Sequence, residues 1–360
     1  MRRCCSEGAY EFLWFRSMQL SMRADISATK VAVLGAGLMG RWHAHAARRL
    51  GAQIIAVADP DQDRARAVAG DGVPVFANAE ALFAAANPDV VHLCSPSHSH
   101  GELIRFAIAQ GVHVFAEKPL AADAAETRDL CAQAEAAQMQ LCPVHQYAFQ
   151  TSIEKIIAQR ERIGRPELFD IRLFSAGAVG ADIDAQIGIC ADILPHPIAI
   201  AQRLWPEQPL DQVDWSVSPM GSAGWQITSE IDAITLHITI SLAARPTEAS
   251  LAVYGDKGAW ETDLFHGYAR FRVGTATRYA KALRPFGDAA SMLRHASANL
   301  TGRALRREPA YPGLRNLMAA FYASVTSGSP PPIGFKEAVS VAEIRDRFLA
   351  QAALHKAREP

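Results

Sequence analysis

From residue 30 onwards, short apolar runs alternate with longer stretches in which apolar residues recur at helical spacing. Such runs, separated by Gly or Asn-Pro turns, predict strands joined by helices. The predicted strands cover residues 30–35, 53–59, 73–76, 89–95, 112–116 and 140–144. Strands that are apolar along their length are typical of a parallel sheet covered on both faces. We therefore predict an α/β fold whose first domain, residues 24–145, is a doubly wound Rossmann domain.

The pattern changes in residues 146–360. Polar and apolar residues alternate from Glu230 to Ala244, which predicts one half-buried antiparallel strand. Shorter strands are predicted at 167–176, 212–218, 248–254, 259–263 and 268–273, and a last helix at 336–356. This mixture predicts an α+β second domain. Segment 278–309 is rich in Arg but poor in aromatic residues, and we predict a surface helix there rather than a nucleic-acid site.

Two predicted helices carry the sequence signal of a capping box at their start. Ser99 is followed three residues later by Glu102, and Asp123 is followed by Glu126. In such a box the first side chain accepts a hydrogen bond from the backbone of the third residue after it. We therefore expect Ser99 and Asp123 to be N-caps.

The chain has 360 residues, 49% of them hydrophobic, with 36 basic and 37 acidic side chains. This length fits two domains, and the balanced charge favours neither a nucleic acid nor a membrane as partner. The longest uncharged stretch is too polar to cross a bilayer. Six cysteines without a Cys-x-x-Cys pair indicate free thiols in a reducing cytoplasm. Residues 1–23 lack the apolar core of a signal peptide and are expected to be a disordered leader, or alternatively an arm on a partner subunit.

The strongest chemical signal follows the first predicted strand, where Gly35, Gly37 and Gly40 form a Gly-x-Gly-x-x-Gly motif that opens a helix. The three glycines permit a tight turn, close approach of a pyrophosphate and close packing of helix on strand. The N–H groups at the helix start attract the anion. We predict that a dinucleotide is held by Gly35, Ala36, Gly37, Leu38, Met39 and Gly40.

Asp59 ends the second predicted strand, a place where an acidic side chain influences whether the protein prefers NAD or NADP. A carboxylate at this place accepts hydrogen bonds from the adenosine ribose and repels a 2′-phosphate, which favours NAD over NADP. Arg64 and Arg66 follow closely in the sequence, so NADP remains a possible cofactor. Asp59 could alternatively do no more than begin the turn that follows it.

Ligands of doubly wound sheets bind at the carboxyl ends of the strands. Ser95 and Pro96, with His100 nearby, follow the fourth predicted strand, and Glu117 and Lys118 follow the fifth. We predict that all five lie at the cofactor site, with His100 as a positioning residue. A desolvated lysine can donate to a substrate hydroxyl or alkoxide, so Lys118 is also a catalytic candidate.

Asp192 and His196 are a second catalytic pair, because residues four apart share one face of a helix. The carboxylate could orient the imidazole, which titrates near neutrality and can take the proton of an alcohol. A purely structural role for His196 stays open.

Together these motifs resemble the Gfo/Idh/MocA family of oxidoreductases, which includes glucose–fructose oxidoreductase and inositol dehydrogenase. The resemblance covers residues 29–350. The features that carry it are the glycine motif, Asp59, Ser95-Pro96 with His100, the run from Gly111 to Leu120 with Glu117-Lys118-Pro119, and Asp192 with His196.

This resemblance implies a second domain with a large, open, mostly antiparallel sheet. It also implies hydride transfer between NAD(P) and a carbinol or carbonyl carbon of a sugar, cyclitol or related small polar metabolite. Within that reaction Lys118 would be the family lysine, Asp192 a carboxylate on the substrate side and His196 the acid/base.

Three features depart from the family pattern, and one of them is Ala199, which stands where many relatives have a second aspartate. Prolines flank His196 on both sides, which requires that a helix begins there or is distorted. After the sixth predicted strand the chain has His145, Gln146 and Tyr147, where the family often has Asn-x-Arg. We predict that these three residues contact substrate, and His145 could equally be a second base or a hydrogen-bonded wall residue.

The expected function is therefore that of an NAD-dependent dehydrogenase or reductase acting on a small molecule. The alternatives are a reductase of a non-sugar substrate, such as an imine or a tetrapyrrole, and a catalytically silent NAD-binding regulator. No metal site is predicted, because His43-x-His45 and His98-x-His100 lack completing ligands. The polar face of the 230–244 strand predicts a homodimer or homotetramer through the second-domain sheet.

Overall fold

The structure, a computed structural model, describes residues 28–175, 177, 180–274, 277–308 and 310–357. The leader expected at residues 1–23 lies outside these ranges. The chain forms two compact units. The first contains the residues up to Val144 together with Arg315–Phe335, and the second contains His145–Leu314 and the residues from Lys336 on. Segment 315–335 thus belongs with the first unit, although the expected boundary at residue 145 assigned it to the second domain.

Helices and strands alternate in the first unit, and the second unit combines a run of seven strands with five α-helices in the part of the chain that the structure describes. The helices are α1 (Leu38–Leu50), α2 (Gln62–Ala69), α3 (Ala79–Ala85), α4 (His100–Ala109), α5 (Ala124–Ala136), α6 (Thr151–Ala158), α7 (Ile183–Ile193), α8 (Pro195–Leu204), α9 (Arg278–Arg306), α10 (Leu314–Ser327) and α11 (Phe335–Lys356). The strands are β1 (Lys30–Leu34), β2 (Gln53–Ala58), β3 (Val75–Phe76), β4 (Val90–Leu93), β5 (His113–Ala116), β6 (Leu141–Pro143), β7 (Pro166–Phe174), β8 (Trp215–Pro219), β9 (Gly224–Ile231), β10 (Ile234–Ser241), β11 (Glu248–Gly255), β12 (Gly258–Asp263) and β13 (Tyr268–Val273). Within the described ranges, no helix has the length and apolar content that crossing a bilayer requires.

The sheet of the first unit has the strand order β3-β2-β1-β4-β5-β6, and every neighbouring pair is parallel. This is the order of a Rossmann domain, so the predicted fold is confirmed. All six predicted strands form, although β3 is only two residues long. The central strands β1 and β4 are buried at every residue except Lys30, as a sheet covered on both faces requires.

Helix α10 completes the core of the first unit from a distant part of the chain. Phe321 stacks on Phe115 of β5 with ring centroids 5.2 Å apart, and Tyr322 stacks on His92 of β4 at 5.8 Å. All four side chains are fully buried. The sequence pattern located the Rossmann strands but did not indicate that this later helix belongs with them.

Both predicted N-cap residues stand at the start of their helices, but only one makes the capping hydrogen bond. Asp123 accepts a hydrogen bond from the backbone N–H of Glu126 at 2.8 Å and caps α5. Ser99 occupies the N-cap position of α4, but the predicted capping box does not form there, because the Ser99 hydroxyl contacts the hydroxyl of Ser95 and donates to the Pro96 carbonyl. A local hydrogen bond from the side chain to the backbone of the same turn thus takes the place of the capping bond.

The sheet of the second unit has the order β13-β12-β11-β7-β10-β9-β8. Its β7–β10 pair is parallel and the other pairs are antiparallel. This arrangement confirms the expected second sheet, which is large and mostly antiparallel. Trp260 and Phe169 are among its fully buried side chains.

The single strand predicted from Glu230 to Ala244 is wrong, because the structure has a hairpin there. Strand β9 ends at Ile231, β10 begins at Ile234, and Asp232 has a φ of 53° in the turn between them. Strand β9 itself was missed. A two-residue hairpin turn is usually marked by Asn-Gly or Asp-Gly, and Asp232-Ala233 lacks the glycine that would have indicated it.

The polar face of β10 is less exposed than expected. Thr235 is exposed, but Thr239 and Ser241 are only 6% and 4% exposed. His237 is half-buried, and its ring pairs with Asp170 of β7 at 2.9 Å. A subunit contact through this sheet stays a prediction, and the exposed part of the face is its Thr235 end.

Candidate active site

The glycine loop between β1 and α1 has the tight geometry that its sequence requires. Gly35 has a φ of 96°, and a Cβ there would lie 2.6 Å from the carbonyl carbon of Cys94. A Cβ on Gly40 would lie 2.0 Å from the carbonyl oxygen of Gly35. By contrast, Gly37 is the N-cap of α1, and a Cβ there would meet no atom within 4 Å. The helix start is open at Gly37, and its first turn carries no acid that would repel an anion.

Asp59 follows β2 and joins it to the glycine loop. Its Oδ2 accepts a hydrogen bond from the backbone N–H of Ala36 at 2.6 Å, and its Oδ1 accepts one from the N–H of Asp61 at 2.8 Å. The neighbouring cation Arg64 forms an ion pair with Asp61, with Nε and Oδ2 3.0 Å apart. The carboxylate is thus fixed beside the loop, and both cations that could favour NADP pair with other acids, Arg64 with Asp61 and Arg66 with Asp63.

A cleft of about 890 Å³ opens in the first unit beside these residues. This volume lies in the range of sites for small molecules and cofactors. Predicted cofactor residues in its lining are Gly35, Gly37, Leu38, Met39, Asp59, Ser95 and Pro96. The other predicted cofactor residues, which lie outside this lining, are Ala36, Gly40, His100, Glu117 and Lys118.

His100 ties the turn after β4 to the turn after β5. Its ring is almost completely buried, with Nδ1 2.7 Å from the carbonyl oxygen of Pro119 and Nε2 2.9 Å from that of Ser95. Pro119 is joined to Lys118 by a cis peptide bond. Both turns thus contact one ring, and the role of His100 as a positioning residue stays a prediction.

Glu117 and Lys118 come directly after β5. The Glu117 side chain is nearly buried, and its Oε1 lies 3.1 Å from Nε2 of His43 on α1. Its Oε2 accepts a weaker hydrogen bond from the backbone N–H of Lys118 at 3.3 Å. His43 therefore fixes the carboxylate that bonds the backbone of the catalytic candidate, while the Lys118 side chain is half-buried.

Behind this carboxylate lies a buried cluster that the sequence patterns did not indicate. The rings of His43 and His92 pack edge to face with centroids 5.1 Å apart, and the hydroxyl of Tyr322 lies 2.9 Å from Nε2 of His92. The sequence paired His43 with His45 as a metal-like motif, but His45 is exposed. The useful signal was the spacing of three from Gly40, which puts His43 on the same buried face of α1.

Burial, and secondarily the charge of His43, hold the pKa of His92 well below its usual value. The folded protein therefore keeps His92 neutral, whereas the unfolded chain binds a proton below about pH 6.5. We expect the free energy of unfolding to fall as the pH drops below that value, because protonation then favours the unfolded chain. Urea unfolding on both sides of this pH measures the effect.

In the variant His92→Gln the pH dependence of unfolding should be shallower than in the wild type. The matched control is His45→Asn, which removes an exposed histidine of the same unit and should leave the dependence unchanged. Equal slopes for His92→Gln and the wild type would contradict this assignment.

Asp192 and His196 lie in two consecutive helices rather than in one. Helix α7 ends at Ile193 and α8 begins at Pro195, with Leu194 between them at φ −55° and ψ −33°. Both prolines that flank His196 fall in the first turn of α8, where backbone N–H groups have no helical partner, so neither removes a helical hydrogen bond. Asp192 is exposed and His196 is 9% exposed.

Within the second unit, His196 is brought together with one predicted substrate residue. The Tyr147 ring centroid lies 4.6 Å from that of His196, with the rings inclined by 30°. Burial, and secondarily Tyr311, raise the pKa of Tyr147, so its hydroxyl stays protonated at neutral pH. His145 and Gln146 are 3% and 6% exposed. The turn after β6 thus supplies a protonated phenol beside the predicted acid/base.

The thiols near the predicted sites have the properties of structural cysteines. Burial, and secondarily Glu117, raise the pKa of Cys94 well above its usual value, and burial raises the pKa of Cys190 to about 12. Thiols with such pKa values are poor nucleophiles. Across the described part of the chain, no group of three or more His, Cys, Asp or Glu side chains could hold a metal ion.

The first unit combines a parallel sheet in Rossmann order, a glycine loop at a helix start and an acid at the end of β2. These features define a dinucleotide-binding protein of the Rossmann class. Residues 29–145 match the Gfo/Idh/MocA model, which describes an oxidoreductase family with an NAD-binding Rossmann fold.

Curated relatives extend this match beyond the first unit. The chain is 32% identical over 251 residues to inositol 2-dehydrogenase of Rhizobium meliloti, a match that covers 64% of this chain and 74% of that protein. It is 32% identical over 234 residues to inositol 2-dehydrogenase 1 of Saccharopolyspora erythraea, which covers 62% of this chain and 63% of that protein, less than two thirds of its length. The chain belongs to the Gfo/Idh/MocA oxidoreductase family.

Solved structures share the fold over most of the chain. A putative myo-inositol dehydrogenase from Sinorhizobium meliloti has a TM-score of 0.68 at 20% identity, covering 90% of this chain and 98% of that one. An oxidoreductase from Agrobacterium radiobacter in complex with NAD+, L-tartaric acid and magnesium has a TM-score of 0.69 at 16% identity, covering 90% and 96%. At these identities the likeness shows the fold alone.

Proposed function

We propose that the protein is an NAD-dependent dehydrogenase or reductase that acts on a carbinol or carbonyl carbon of a sugar, cyclitol or related small polar metabolite. The observation that carries this proposal is the cleft of about 890 Å³ lined by the glycine loop and Asp59. Family membership, with 32% identity to inositol 2-dehydrogenases, supports the substrate class.

The residues of the first unit fit a dinucleotide. The space beside Gly37 contains no side chain within 4 Å of where its Cβ would be, so a pyrophosphate can approach the backbone of the loop. Asp59 can accept hydrogen bonds from ribose hydroxyls while its other contacts keep the carboxylate in place. When bound, NAD would supply the hydride acceptor, and side chains of the protein would transfer the proton.

Three side chains are proposed to act on the substrate, two in proton transfer and alkoxide stabilisation and one in binding. The imidazole of His196 takes the proton of the substrate hydroxyl, and the Lys118 ammonium stabilises the resulting alkoxide by charge and hydrogen bonding. Asp192 binds the substrate on the side of His196. The ring of Tyr147, 4.6 Å from that of His196, limits the orientations that the imidazole can adopt. In the reverse direction the same imidazole returns the proton.

The preference for NAD over NADP can be tested at Asp59. We expect the wild type to bind NADH more tightly than NADPH, because the carboxylate repels a 2′-phosphate. The double variant Asp59→Ser, Asp61→Ser removes this repulsion and frees Arg64 from its ion pair. Its ratio of NADPH to NADH affinity should rise by at least about tenfold, a change of about 1.4 kcal/mol. Cofactor fluorescence titration measures both affinities.

The single variant Asp61→Ser is the matched control. Serine can still cap α2 at the position where Asp61 now accepts from the N–H groups of Asp63 and Arg64. It removes the Arg64 ion pair but keeps Asp59, so the preference for NADH should persist. A wild type that binds NADPH as tightly as NADH would overturn the proposed role of Asp59.

The proposed reaction is tested by following NADH fluorescence with a panel of polyols, cyclitols and keto-sugars. Turnover of at least one member supports the proposal. Turnover only of an imine or a tetrapyrrole would assign a non-sugar reductase. Cofactor binding without turnover of any candidate would favour a silent NAD-binding regulator, because a fold alone does not dictate function.

Assembly and compartment complete the proposal. We propose a homodimer or homotetramer through the second-unit sheet, supported by the exposed Thr235 end of β10. Light scattering that shows a monomer at micromolar concentration would refute it. A reducing, cytoplasmic setting is supported by the free thiols among the described cysteines, Cys94, Cys131, Cys142 and Cys190.

A further inference from the structure

Helix α9 of the second unit packs on its own sheet through polar groups. The side-chain amide of Asn299 donates to the carbonyl of His266 at 2.6 Å, and the Arg303 guanidinium donates to the same carbonyl at 3.1 Å. At the other end, Arg270 of β13 donates to the backbone carbonyl of Asp288 at 3.3 Å. The polar side of this helix therefore faces the protein.

The opposite side of α9 carries an apolar stripe. Leu283, Phe286, Leu293 and Leu300 are 66%, 75%, 71% and 71% exposed. At about 100° per residue these four side chains fall within an arc of about 100°, which is the width of a stripe that a surface helix normally buries. Here the usual arrangement is reversed, since the polar side is covered and the apolar side is bare.

The charge of α9 indicates what can cover this stripe. The helix contains six Lys or Arg residues and one acid, Asp288. That acid lies within 4 Å of two guanidinium groups, those of Arg272 and Arg284. Arg294 is exposed beside the stripe. Two copies of so basic a helix would repel each other, whereas a surface that is both apolar and anionic complements it.

We propose that α9 lies in the surface of an anionic lipid bilayer, with the stripe from Leu283 to Leu300 in the boundary between headgroups and acyl chains. A helix with one apolar face, low overall hydrophobicity and a surplus of Lys and Arg is the type that binds membranes in this way. The sequence-based expectation of no membrane partner rested on the lack of a spanning segment and on the net charge of the whole chain. Neither property excludes a helix that lies in the plane of the membrane surface.

The test is sedimentation of the full chain with vesicles of phosphatidylcholine alone and with vesicles that also contain phosphatidylglycerol. Wild-type protein should bind the anionic vesicles, and added salt should weaken this binding, because surface charge attraction is screened. In Leu293→Glu the affinity should fall by at least about tenfold, since a charge replaces a side chain that would be buried in the lipid. Retained NADH binding and an unchanged circular dichroism spectrum show that the variant is folded.

The matched control is Leu354→Glu, which makes the same change at a leucine that is 60% exposed on α11. It should bind vesicles as the wild type does. The proposal would be overturned if the wild type did not bind anionic vesicles, or if both variants lost binding equally. It would also be overturned if the wild type formed a dimer that Leu293→Glu dissociates and did not bind vesicles. The last outcome would assign the stripe to a second copy of the chain.

Discussion

The variant Lys118→Met is expected to lose about 10²–10⁴-fold in kcat/KM, the range that a positioned proton-handling group contributes. Methionine keeps the length of the lysine side chain but removes the ammonium that would stabilise the alkoxide. Because the contacts of Glu117 with the backbone of Lys118 and with His43 do not involve the lysine side chain, the turn after β5 should keep its shape. Steady-state kinetics with an active substrate measure the loss.

Binding of NADH separates catalysis from cofactor binding in this variant. Lys118→Met should bind NADH within a few-fold of the wild type, since the cleft is lined by other residues. The control Lys30→Met removes an exposed lysine of the same unit and should leave both kinetics and binding unchanged. Full activity in Lys118→Met, or loss of activity that only mirrors loss of NADH binding, would refute its catalytic role.

The second large effect is expected at Gly40, where alanine should destabilise the first unit by about 3 kcal/mol or more. An added Cβ would lie 2.0 Å from the carbonyl oxygen of Gly35, and a backbone atom cannot move aside as a flexible side chain can. Relief requires that α1 moves away from β1, which opens the core of the first unit. Urea unfolding at neutral pH measures the change.

The partner experiment is Gly37→Ala, three residues earlier in the same loop. A Cβ at this position meets no atom within 4 Å, and its φ of −69° is open to any residue, so stability should change by no more than about 1 kcal/mol. NADH affinity should nevertheless fall by at least about tenfold, because the methyl group occupies the approach of the pyrophosphate. A stable Gly40→Ala, or tight NADH binding by Gly37→Ala, would contradict this division of roles.

The parts of the fold that the sequence predicted depend on short-range patterns. The strands of the first unit are apolar runs set off by turns, and their order follows from the rule for parallel strands joined by helices. The hairpin at Asp232 was missed because its turn lacks the glycine that marks such turns. The place of α10 was missed because its apolar face fits many surfaces, and only the packing against Phe115 and His92 selects one.

The site residues also divide into those that short-range sequence patterns predict and those that depend on contacts between distant parts of the chain. The glycines at 35 and 40 could be predicted from sequence, because the backbone of the loop leaves no room for a Cβ at either position. The role of Asp59 toward the cofactor was predicted from its place at the end of β2 and stays a prediction. The contact of His43 with Glu117 joins residues 74 positions apart, and no local pattern encodes such a pair. The close approach of the Tyr147 and His196 rings likewise depends on how the turn after β6 meets α8.

The position of α10 in the chain also constrains how the protein is made. The side-chain amide of Gln140 donates to the carbonyls of Ser324 and Ser329, at 3.0 and 2.7 Å. These contacts cannot form on the ribosome until residues 145–314 have been synthesised. Domains made early in synthesis usually fold first, but the first unit cannot reach its final form before these residues of the second unit have been made. A nascent chain released at residue 145 would expose Phe115 and His92 to water. Completion of the cofactor unit is thus coupled to synthesis of the chain through residue 329.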